Sequence, residues 1–135
     1  MGLNDQNRKD LVELYWSKSM QTMEEAEVAV AAQKWSMAAN RIYYALFHAV
    51  TALFVNDGYK AGTHRGAKAS FGEHYIITGK MEPQYGRLFA QLETMRDKAD
   101  YDIIYNATQE EVLSFLPKVK DFLEKIHCLL TESDK

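Results

Sequence analysis

From Trp35 to Asp57 the chain carries no proline and no glycine, and its apolar residues fall on more than one side of a helix. A surface helix needs one apolar stripe, whereas a helix that is apolar on several sides belongs at the centre of a bundle. The rest of the chain must then supply the helices that cover it. Composition agrees: two prolines and seven glycines in 135 residues, with 47% hydrophobic residues, favour helices over a turn-rich β-protein. A chain of this length fits one compact domain spanning residues 1–135.

The flanking segments read as those covering helices. Asn4 or Asp5 caps a first helix running to about Gln33, with Leu11, Leu14, Tyr15, Met23, Ala26 and Val30 on its inner side. A break near Lys34 leads into the central helix, and Gly58 supplies the left-handed residue that ends it. Tyr59 to Thr63 reads as a loop, with Thr63 capping a third helix through Tyr75 to Thr78 and Gly79 stopping it. Pro83 suits the first turn of a fourth helix, along which Tyr85, Leu88, Leu92, Met95 and Ala99 recur at helical spacing. Thr108 and Glu111 form a capping box for the last helix, whose apolar face is Val112, Phe115, Val119, Phe122, Ile126 and Leu129. Pro117 is expected to kink it. The expected fold is therefore all-α, an antiparallel up-and-down bundle of four to five helices.

Several classes of function are disfavoured. With a net charge of −3, any nucleic-acid contact has to come from a local basic patch. Cys128 is alone, so no internal disulfide forms, which fits a reducing cytosol. There is no run of 18 apolar residues and no apolar signal core, and Gln6 stands where a myristoylation motif needs Ser or Thr. The expectation is a cytoplasmic protein with no membrane segment. His64, His74 and His127 lack metal-ligand spacing with one another or with Cys128, so neither a metal nor a cofactor is expected. Lys60, His64, Arg65 and Lys68 read as a solvated helix face, or else a modest basic patch.

Two segments concentrate polar residues on helices that otherwise form core. In the first, Asn40 to Ala49, Arg41 and His48 lie seven apart and so about 20° from one azimuth, with Tyr44 between them. A cation on so apolar a helix requires a partner or an open groove. Of Tyr43 and Tyr44, one is expected in the core and one in a groove. The second segment, Arg96 to Asp102, places Arg96 and Asp100 on one face. Two readings fit it: an internal ion pair that fixes the helix end with Tyr101 packed nearby, or an arginine held by Asp100 and aimed at phosphate.

These same residues carry a family resemblance. Ala39-Asn40-Arg41, Tyr43-Tyr44-Ala45 and Phe47-His48-Ala49 together resemble the signature helix of prokaryotic HEPN-domain proteins. Arg96-x-x-Ala99-Asp100-Tyr101 resembles the second signature of that branch, and His64 and Phe71 fit it too. The similarity spans nearly the whole chain. It implies a helical bundle that pairs as a homodimer, the toxin-like partner of a minimal nucleotidyltransferase. It also implies, for many members, metal-independent ribonuclease activity from an arginine followed four to six residues later by a histidine.

Here the sequence departs from that pattern. The residues in range after Arg96 are Tyr101, Asp102 and Ile103. Tyrosine, with an ordinary pKa of about 10, is a poor general base near neutral pH. Arg41 and His48 meet the spacing literally but stand on the other signature helix. The resemblance therefore implies a module that engages nucleotide or RNA phosphate, or a partner protein, through a groove of Asn40, Arg41, Tyr44, Arg96, Asp100 and Tyr101. The alternatives are a ribonuclease using a rearranged site, with Arg96 and His48 as catalytic candidates, and a purely structural homodimer.

Overall fold

A computed structural model describes residues 4–60 and 64–132. They form α1 (Asp5–Ala31), α2 (Trp35–Asp57), α3 (His64–Phe71), a π-helical turn (Gly72–Ile76), α4 (Pro83–Tyr101) and α5 (Gln109–Glu132). No strand occurs among the described residues, so the chain is all-α. α2 is the hub: α1, α4 and α5 each pack against it, while α3 bridges α2 and α4. Ile42, Leu46, Leu53 and Phe54 of α2 are fully buried, as are Ala38, Ala45 and Ala52, so the buried arc runs from the alanines round to Phe54 on the opposite side of the helix. Enclosing one such large apolar side chain contributes about 1.5–3 kcal/mol, so this helix alone accounts for much of the driving force.

α1 lies closest to α2 because small residues line the contact: Ala26 and Ala29 on one side, Ala38 and Ala45 on the other. Ser19 completes it, its buried hydroxyl donating to the carbonyl of Ala45 at 2.6 Å. Asn4 caps α1, its side chain accepting from the backbone N–H of Asn7 at 2.8 Å. At the other end α1 stops at Ala31, two residues before the sequence suggests. Gln33 takes a left-handed conformation, φ +58°, and the N–H groups of Gln33 and Lys34 return to the carbonyls of Val30 and Ala29. This is the hydrogen-bond pattern of a Schellman motif built on a non-glycine residue. α2 ends the same way on Gly58, φ +83°. Leu14, placed inward by periodicity, is 65% exposed: the polar middle of α1 leaves too narrow a buried stripe to include it.

The third helix also differs from expectation. It is α-helical only to Phe71 and then widens into the π turn, where the N–H of Ile77 reaches back to the carbonyl of Gly72. The widened turn stacks buried Tyr75 on Phe71 at 5.5 Å and lays Ile76 against Gly86 of α4, where a Cβ would come within 3.2 Å. The Thr63 cap lies outside the described residues. At α5 the capping box forms: Glu111 N–H donates to Thr108 Oγ1 at 3.1 Å, and Thr108 N–H to the Glu111 carboxylate at 3.3 Å. α5 continues through Pro117. Leu113, whose carbonyl loses its usual donor to that proline, is exposed to water.

Candidate functional site

The polar residues of α2 and α4 meet along the seam between the two helices. Arg96 is the centre. It projects from the buried side of α4, 6% exposed, and its guanidinium carbon sits 4.8 Å from the centre of the Tyr43 ring, 5.6 Å from Tyr44 and 5.9 Å from Tyr101. Burial opposes its charge, but Asp97 and the three tyrosines more than offset this, so the guanidinium stays protonated. Its Nη2 pairs with Asp97, which is half-exposed, at 2.9 Å. Nη1 is only 3.9 Å from Asp100, and buried Nε has no hydrogen-bond partner.

Asp100 is held back from Arg96 by Asn40. The Asn40 amide nitrogen donates to both Asp100 oxygens, at 3.0 and 3.2 Å. Its carbonyl oxygen accepts from Nε and Nη2 of Arg41 at 2.9 and 2.6 Å. Arg41 reaches on to Glu25 of α1 at 3.1 Å and lies 5.5 Å over Tyr44. An amide donates from its nitrogen and accepts at its oxygen, so Asn40 bridges the Asp100 carboxylate and the Arg41 guanidinium and organises this outer tier. The six groove residues named from sequence thus stand in one connected cluster. Of the tyrosine pair, Tyr43 is fully buried and Tyr44 half-buried at the seam.

His48 sits at the edge of this cluster, 6.3 Å from Tyr44, and makes no hydrogen bond among the described residues. Its ring is held neutral by burial, then by Lys18 and Arg41. Arg41 is engaged by Asn40 and Glu25, so the literal Arg41–His48 pair is not assembled as a unit.

The histidine that does enter the site is His64, at the start of α3. Its Nδ1 lies 3.0 Å from the Tyr43 hydroxyl, and its ring packs 4.3 Å from Phe47, 5.6 Å from Tyr44 and 5.7 Å from Tyr43. Burial and then Arg96 lower its pKa. Lys68, a turn further on, pairs with Glu93 of α4 at 3.2 Å. Of this basic run on α3, Arg65 is exposed as expected for a solvated face and the Lys68 side chain is 41% exposed even as it pairs with α4, while His64 turns inward onto α2. The signal available in sequence was the helical spacing of His64 and Lys68, which puts both on one face.

Among the described residues no three His, Cys, Asp or Glu side chains converge on a metal-sized site. No helix there is long and apolar enough to cross a membrane. His74 stacks on Tyr59 at 3.8 Å and His127 on Trp16 at 5.1 Å, both away from the seam.

An all-α bundle with a buried arginine on an aromatic seam and an asparagine bridge beside it defines the class of small helical modules anticipated above. The HEPN domain model matches residues 12–129, and the chain belongs to that family. It is 28% identical to a UPF0332 protein of Thermotoga maritima over 93% of this chain and 96% of that one. Two proteins of Methanocaldococcus jannaschii, each named a "putative toxin", are also similar. One is 33% identical over 68% of both chains, the other 27% identical over 80% of this chain and 74% of its own.

Proposed function

We propose that this protein is a toxin-like HEPN module whose α2–α4 groove grips a phosphate of a nucleotide or RNA and does not cut it. The observation that carries this reading is Arg96: a buried, charged guanidinium whose Nε has no partner and whose Nη1 has only a loose one. A structural ion pair would use those donors, because a buried unsatisfied donor costs about 1–3 kcal/mol. The carboxylate that does engage Arg96, Asp97, is half-exposed and can swing into water at a cost of about 0–1 kcal/mol when an anion arrives. The tyrosine faces around it offer stacking for a base or ribose. The lack of a histidine in the range after Arg96 supports holding over cleavage. We further propose that the module works as a homodimer with a nucleotidyltransferase-type partner, in a cytoplasmic toxin–antitoxin-like pair. The toxin names of its relatives and the family resemblance support that context.

The test is binding and cleavage of short single-stranded RNA and of adenosine nucleotides, without added metal, by wild type, Arg96→Ala and His48→Ala. Binding without turnover, lost in a folded Arg96→Ala protein, is expected. Cleavage abolished in both folded variants makes the protein a ribonuclease and overturns the reading. Absence of any binding leaves a structural module.

A further inference from the structure

Tyr43 is wholly enclosed, and burial together with Glu93 keeps the proton on its hydroxyl. A buried O–H must donate to something. Among the described residues its one hydrogen-bond partner is Nδ1 of His64, at 3.0 Å. Donation to that nitrogen consumes its lone pair, so the proton of the neutral imidazole has to sit on Nε2. The other end of the ring is then an N–H, and it has no acceptor among the described residues. His64 and Arg96 come from different helices, α3 and α4, yet both lie against the same two rings. The His64 ring is 5.7 and 5.6 Å from Tyr43 and Tyr44, and the Arg96 guanidinium 4.8 and 5.6 Å.

We infer that Tyr43 locks His64 as the Nε2–H tautomer, making His64 a second hydrogen-bond donor to the phosphoryl group gripped by Arg96 rather than a proton-abstracting base. This rests on the phosphate reading given above and deepens it. An Nε2–H cannot accept a proton from a ribose hydroxyl, so the same tyrosine that orients the ring also withholds the base that cleavage requires. Tyr43 is here a positioning residue that acts through His64. The lowered pKa of His64, from burial and then Arg96, keeps the ring in the neutral form to which the tautomer argument applies.

The experiment is two-bond proton–nitrogen NMR of the full chain with labelled histidine, titrated with inorganic phosphate and with a short single-stranded RNA. The His64 signals are identified as those missing from His64→Gln. The expected wild-type spectrum has Nε2 protonated and Nδ1 bare for this ring, a mixture of tautomers in Tyr43→Phe, and movement of Nε2 on adding phosphate or RNA. A glutamine amide can stand near Nε2, so His64→Gln is expected to bind RNA within about threefold of wild type. His64→Ala, lacking one bond to a charged group, is expected to lose about tenfold or more. A protonated Nδ1 in the wild type overturns the inference whatever the variants do. Unchanged RNA affinity in His64→Ala, with binding abolished in Arg96→Ala, also overturns it while leaving the phosphate reading intact. If wild type binds neither phosphate nor RNA, the phosphate reading falls and His64's donor role with it, even where the tautomer is as expected.

Discussion

Replacing Arg96 by methionine separates a functional arginine from a structural one. Three interactions are lost. The ring contacts are worth about 1–2 kcal/mol together, since only Tyr43, at 4.8 Å, is close. The Asp97 pair adds about 0–1 kcal/mol, because that carboxylate is half in water. Asp100 adds little at 3.9 Å, being held by Asn40. Against these stand the desolvation of a buried cation and the unsatisfied Nε, whose removal returns about 1–3 kcal/mol. Methionine fills most of the same volume and its sulfur suits the tyrosine rings. The net change in unfolding free energy is therefore within about 1 kcal/mol of zero. Of the two carboxylates that Arg96 engages, Asp97 faces water and Asp100 keeps its bonds to Asn40. Urea denaturation followed by circular dichroism measures it, alongside RNA binding on the same sample. The expected result is near-wild-type stability with binding abolished. A loss of more than about 2 kcal/mol would refute the reasoning, because it would show that the arginine holds the helices together as breaking a buried ion pair does.

Three further outcomes follow from the geometry. Gln33→Gly removes the penalty of a side chain at φ +58° and should raise stability by about 0.5–1 kcal/mol, read as a higher thermal midpoint. Thr108→Ala deletes the hydroxyl that accepts from Glu111 N–H and should cost about 1 kcal/mol, read in urea; an unchanged midpoint would mean that the Glu111 carboxylate caps α5 alone. His48 and His64 have folded pKa values below their ordinary 6.5, so the unfolded chain binds protons first on acidification. Their contribution is fully present above pH 6.5 and is lost as pH falls through the folded values, and the double variant His48→Gln, His64→Gln should flatten that acid limb of the stability curve.

Most of the fold was legible because it rests on local rules. The bundle follows from an all-sided apolar α2, and the ends of the helices follow from residues that act within one turn: Asn4, Gly58, Pro83, and the Thr108–Glu111 pair. The departures came where tertiary packing outweighs local preference. Gln33 is not a residue that announces a left-handed cap, yet the tight α1–α2 turn requires one there. Nothing in the run from Ser70 to Thr78 marks a π turn, because the extra residue serves the stacking of Tyr75 and the seating of Ile76 on Gly86, both contacts between elements. Leu14 shows the reverse error, a periodic residue left 65% exposed among the described residues.

The site divides along the same line. Asn40, Arg41 and Tyr44 share one helix and Arg96, Asp100 and Tyr101 another, so spacing alone groups each trio, and an apolar central helix obliges its cations to face a partner. What spacing does not give is the contact between the trios, and it gives even less of α3, whose approach to the seam depends on the path of the chain after Gly58. Without that approach His64 is one more polar residue in a basic run. With it, the hydroxyl of Tyr43 meets Nδ1, and the direction of that single hydrogen bond decides what the ring can do. A base would need the lone pair on Nε2 that the Tyr43 proton forces out of existence. The chemistry of this seam is thus set by a buried core tyrosine, a residue whose apolar packing hides its role from any reading that looks for reactive groups among exposed ones.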